Sequence, residues 1–150
     1  MPSKNALMMF DRAGATNKHE FGSFFLSRLL GFDIKYRDDT CRVHFDVTPE
    51  LTNPMGSLHG GVLATALDVS MGHLIFYSYG SPGATVEMKV HYLASVTAGE
   101  VVCEARYMQD GRSLKFLQSE ARIASSGKVV AFATATWKIV GTAAIAQRDT

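Results

Sequence analysis

Hydrophobic positions along this chain change period several times, and each change marks an element. Residues 1–20 carry short apolar pieces with no clear period and predict an irregular arm. Phe21, Phe24, Phe25, Leu29 and Leu30 fall near helical spacing, which predicts a short amphipathic helix over 21–30 that Gly31 ends. Residues 33–36 and 41–47 read as two strands around a polar turn at Asp38-Asp39. The second places Cys41, Val43, Phe45 and Val47 on one face and Arg42, His44 and Asp46 on the other. From 62 to 79 nearly every side chain is apolar or small, the pattern of a helix buried on all sides. Alternation returns after a Gly/Ser/Pro turn over 78–83: Val86, Met88, Val90 and Tyr92 share one face, and Thr85, Glu87, Lys89 and His91 the other. Further strands are expected over 101–107, 114–123 and 129–140, with turn signals at Asp110-Gly111 and Ser125-Ser126-Gly127.

One long buried helix and five or six antiparallel strands predict an α+β domain over 21–140, a curved sheet wrapped around the helix, with a polar tail over 141–150. A helix that is apolar all round needs cover on more than one side. A single curved sheet cannot supply it all, so a dimer at least is expected.

Composition narrows the classes. At 150 residues, 47% of them hydrophobic and 19% charged, the chain fits one globular domain. A net charge of +1 with no basic stripe argues against a nucleic-acid partner. Cys41 and Cys103 are too few for a disulfide framework or a zinc site, so no metal is expected and both read as buried thiols in a reducing compartment. The first 20 residues scatter charges through their apolar pieces and lack a secretory core, which points to the cytoplasm. The stretch over 62–79 is marginal in length for a membrane span and carries Asp68 and His73, so no membrane is expected.

Asp68 is the residue to explain, because burying an unpaired carboxylate costs several kcal/mol unless its pKa rises or partners are supplied. Upstream runs N-P-M-G-S-L-H-G-G, residues 53–61, whose glycines fall where the helix should begin. A helix start offers free N–H groups and partial positive charge, and glycines let a ligand approach them. An anion or carbonyl site is thereby coupled to a buried carboxylate. Gly60 and Asp68 are roughly 12 Å apart along the axis, so a shared substrate must span that gap or the two groups come from different subunits. Structural readings stand beside these: Asn53 as an Asx turn before Pro54, His59 as a cap, Asp68 as a carboxylate bonded to a neighbour such as Thr65.

The order N-P-x-G-x-x-H-G-G, six residues and an Asp, resembles the signature of hotdog-fold acyl-CoA thioesterases, in the branch similar to phenylacetic-acid-degradation (PaaI-like) and 4-hydroxybenzoyl-CoA thioesterase proteins. The similarity runs from about Val43 to Ile139, through T-V-E-M-K-V-H-Y-L (85–93) and G-R-S-L (111–114). The resemblance implies a thioester hydrolase whose substrate is an acyl-CoA, with no cofactor apart from the CoA of the substrate. It implies that the Gly60 N–H polarises the carbonyl, that Asn53 helps hold the carbonyl or the water, and that Asp68 acts as base or as nucleophile. Thr85 would orient the water and His59 would fix the loop. It places Asp68 across a subunit interface from Gly60, in a dimer or a dimer of dimers. Gly61, Arg112, Lys89 and Lys115 are candidates for CoA, because phosphates call for loop N–H groups and cations; Lys128 is a weaker one. Two other readings compete: a hotdog dehydratase acting on a hydroxyacyl thioester, and a non-catalytic acyl-CoA binder.

Overall fold

Among the residues described, 1–141 of a computed structural model, the all-apolar run forms α3 (Gly60–Tyr79). His59 caps its start, its Nδ1 accepting the Gly61 N–H at 2.9 Å, and Gly80 ends it in the left-handed region at φ 62°. Six antiparallel strands, β1 (Asp33–Arg37), β2 (Thr40–Asp46), β3 (Gly83–Tyr92), β4 (Glu100–Asp110), β5 (Leu114–Ile123) and β6 (Val129–Ile139), form one sheet in the order β1-β2-β4-β5-β6-β3. Every second residue turns toward the helix, as the period of a strand requires. Val43, Val101, Leu117, Ala133 and Trp137 are buried there against Leu67, Met71 and Leu74. This is the expected hotdog arrangement, with β3 on an open edge.

The N-terminal region departs from expectation. Residues 4–16 form a helix, α1 (Lys4–Thr16), rather than an irregular arm. Ser3 caps it by accepting the Ala6 N–H at 2.9 Å, and Ser3 and Asn5 both donate to the Glu50 carboxylate, at 2.7 and 2.6 Å. Its inward side is the modest stripe Ala6, Met9 and Ala13, while Leu7, Met8 and Phe10 face outward. The bulky side chains therefore hide the period. The helix expected over 21–30 shrinks to α2 (Phe25–Leu29), and residues 20–24 form a turn with Gly22 at φ 86°.

That turn lies on α3. Phe21 stacks flat on Phe76, centroids 4.0 Å apart, and Phe24 lies 6.0 Å from the His73 ring. The cover assigned from sequence to a second subunit is thus partly supplied from within the chain, and residues 69–75 are buried in the single protomer.

Candidate active site

Asp68 projects from the ninth residue of α3 into a cavity of 430 Å³. Phe21, Phe24, Val69, Gly72 and Trp137 give it an apolar interior, and His19, Glu20 and Thr85 also line it. Burial pushes the Asp68 carboxyl above the usual carboxylate range, and the Thr85 hydroxyl, donating to its Oδ1 at 2.9 Å, offsets part of that rise. Strict alternation assigns Thr85 to the face opposite Met88 and Val90. The structure corrects this: Thr85 pairs with Trp137 and Glu87 with Thr136, leaving Val86 as an extra residue in a β-bulge. The bulge turns Thr85 to the helix side, within reach of Asp68.

Trp137 forms the floor of this cavity, and two glycines make room for it. A Cβ on Gly72 would lie 2.9 Å from the indole, and one on Gly83 would lie 3.1 Å from it. No sequence period reveals this contact, which joins helix to strand.

The second group of predicted residues lies elsewhere, around a pocket of 390 Å³ that includes Asn53, Gly60, Leu63 and Tyr92. The Gly60 N–H has no partner among the described residues, whereas the Gly61 N–H is taken by His59. His59 is therefore a cap, its ring nitrogen committed to the second residue of α3. Asn53 makes the Asx turn: its Oδ1 accepts the Met55 and Ser57 N–H groups at 2.9 and 3.3 Å, and its Nδ2 donates to Ser57 Oγ at 3.0 Å. Tyr92, which the sequence places on the apolar face of its strand, donates its hydroxyl to the Gly60 carbonyl at 2.7 Å. A Cβ on Gly60 would meet the Tyr92 ring at 3.2 Å, so glycine is what lets that ring close on the helix start.

The cations expected to meet CoA divide. Lys115 is corrected outright: it is 5% exposed and donates to Asp110 at 2.6 Å, to the Gly111 carbonyl at 2.7 Å and to Tyr79 at 3.0 Å. These three acceptors satisfy its ammonium. Arg112 and Lys89 are exposed, without a carboxylate partner among the described residues, and line neither cavity. Lys89 pairs with Thr134 on the sheet face turned away from α3.

A sheet curved around one helix, with a carboxyl-bearing cavity and an open helix start at two places along it, is the arrangement of a hotdog protein of thioesterase type. Residues 55–130, just over half of the chain, match the model of the thioesterase superfamily, and the chain belongs to that superfamily. Among its relatives is human acyl-coenzyme A thioesterase 13, 34% identical over 87 residues, in an alignment that takes in 57% of this chain and spans 62% of the relative's length. A conserved protein of Pseudomonas aeruginosa has the same fold at a TM-score of 0.71 and 30% identity, over 77% of this chain and 93% of that one. A Bacillus halodurans protein whose structure holds CoA superposes at a TM-score of 0.82 and 21% identity, over 93% of each chain.

Proposed function

We propose that this protein is an acyl-CoA thioesterase in which Asp68 activates water against a thioester carbonyl held by the Gly60 N–H. The observation that carries the reading is the Asp68–Thr85 pair, a carboxyl of raised pKa in an apolar cavity with one oxygen fixed by a hydroxyl. Burial strengthens a carboxylate as a base. With Oδ1 engaged by Thr85, Oδ2 is left for a water, and lone pairs on the Thr85 oxygen can hold the same water. Asp68 takes its proton, the hydroxyl adds to the carbonyl carbon, and negative charge gathers on the carbonyl oxygen. The unpaired Gly60 N–H at the positive end of α3 stabilises that charge. The carbon–sulfur bond then breaks, and CoA leaves as its thiol once it has been protonated. The relative named as an acyl-coenzyme A thioesterase and the neighbour holding CoA support the choice of substrate. No cofactor is called for beyond the CoA of the substrate itself.

We read the site as shared between two copies. Within one protomer the base and the open helix start belong to different cavities, at opposite ends of β3 beside Thr85 and Tyr92. Among the described residues, nothing pairs with the outer edge of β3. Antiparallel pairing of two such edges about a two-fold axis near Met88 would set the Thr85 end of one copy against the Tyr92 end of the other. Arg112 and Lys89 are the cations left for the phosphates of CoA, and the cytoplasm is the setting we propose, with Cys41 and Cys103 as buried free thiols. Release of CoA thiol from a panel of acyl-CoA thioesters tests the reading. Turnover supports it, and tight acyl-CoA binding without turnover would replace it with the binding-module alternative.

A further inference from the structure

The turn over residues 20–24 is held down by a group that the hydrolysis does not use. His73 is 3% exposed, and both ring nitrogens are engaged. Nε2 lies 2.8 Å from the Gly22 N–H and Nδ1 lies 2.9 Å from the Val69 carbonyl. A backbone N–H can only donate and a carbonyl only accept, so the ring is neutral, protonated on Nδ1 and accepting at Nε2. Around this bond Phe21 stacks on Phe76 and meets the His73 ring edge-on, with centroids 5.0 Å apart. The held segment, with Phe21 and Phe24, forms the wall facing Trp137 across the cavity that contains Asp68.

We infer that residues 20–24 are a strap fastened by His73 that sets the size of the acyl group this enzyme accepts, with Phe24 as the wall residue and His73 as the positioning residue. The inference rests on the thioesterase reading. An acyl chain whose carbonyl lies at Asp68 has its tail directed into a cavity bounded by Trp137 on one side and the strap on the other. The Trp137 side is closely packed, the indole buried against Gly72 of α3 and Gly83 of β3 with no room for a Cβ on Gly72. The strap side can yield, since it is a turn fastened to α3 by the His73 bond and the Phe21 stack, while its other bonds, from the Lys18 N–H to the Ser23 carbonyl and from Arg28 to the Ser23 hydroxyl, stay within residues 18–28. Unfastening it would open a path for the tail between the strap and α3, and truncating Phe24 would deepen the cavity while leaving the fastening in place.

The test measures kcat/KM for butyryl-, octanoyl- and palmitoyl-CoA in the wild type, His73→Leu, His73→Gln and Phe24→Ala. The palmitoyl-to-butyryl ratio is expected to rise at least about tenfold in His73→Leu and in Phe24→Ala, the scale on which pocket size discriminates chains. His73→Gln, whose amide oxygen can accept the Gly22 N–H, should return toward the wild-type ratio. Hydrogen exchange at the Gly22 amide should be slow in the wild type and His73→Gln and fast in His73→Leu. If His73→Leu does not fold, Phe24→Ala carries the test alone. An unchanged ratio in the variants that fold, with the wild type active, overturns this inference and leaves the thioesterase reading intact. Absence of thioester hydrolysis in the wild type overturns both.

Discussion

Acidification should destabilise this protein through His73 in particular. Burial lowers its pKa from the ordinary 6.5 to about 4, with the bond to the Val69 carbonyl acting weakly the other way. The unfolded chain therefore takes up the proton first. Stability owed to the neutral ring is complete above the unfolded value and is lost as pH falls toward about 4. A difference of about 2.5 units at about 1.36 kcal/mol each sets a ceiling near 3 kcal/mol, of which about 2 kcal/mol is gone at about pH 5. At 3% exposure, solvent screening removes little of this. The loss stops short of the ceiling where releasing the strap costs less than protonating the ring in place. Asp68, which lines the same cavity as His19 and Glu20 and has a raised pKa, contributes its own pH dependence, so the comparison must be with a variant. Urea denaturation of the wild type and His73→Gln across the range from neutral to about pH 4.5 isolates the difference. His73→Gln should be less stable at neutral pH, and the gap should narrow on acidification. A gap that stays constant would refute the reasoning.

Three substitutions probe the rest of the site. With Gly60→Ala as the control for the added Cβ, which meets the Tyr92 ring at 3.2 Å, Gly60→Pro suits the first helical position and removes the N–H assigned to the carbonyl. It should lower kcat about 10²- to 10³-fold with the helix content by circular dichroism unchanged. Thr85→Val removes the donor that offsets the raised Asp68 pKa, so the acid limb of the kcat/KM profile should move to higher pH, where an unmoved limb would exclude Asp68 as the titrating base. Gly72→Ala forces a Cβ within 2.9 Å of Trp137 and should cost about 1–3 kcal/mol by thermal melting.

How much of this could be read from sequence depends on how local each signal is. The run over 62–79 and the turn glycines beyond it are local, and they placed α3 and the sheet around it. Asp68 stood out because a carboxylate within an apolar run is anomalous by itself. Thr85 was identified as a partner in the site but assigned to the wrong face, since one bulged residue, Val86, reverses the alternation on one side of it. The helix α1 was missed because Ala6, Met9 and Ala13 make a weaker stripe than the exposed Leu7, Met8 and Phe10. Lys115 looked like a surface cation, and only the fold shows Asp110, Gly111 and Tyr79 converging on it. The bond between His73 and Gly22 crosses 51 residues of sequence, a separation over which no period carries information.

The most direct test of the central claim is release of CoA thiol by the wild type and by Asp68→Asn, with fold and acyl-CoA binding checked in both. Asparagine keeps the size and the acceptor for Thr85 and removes the base. Hydrolysis by the wild type that falls about 10²- to 10⁴-fold in Asp68→Asn, with binding retained, is the predicted result. Equal rates in the two proteins would contradict the account, because the buried carboxylate would then have no part in the chemistry.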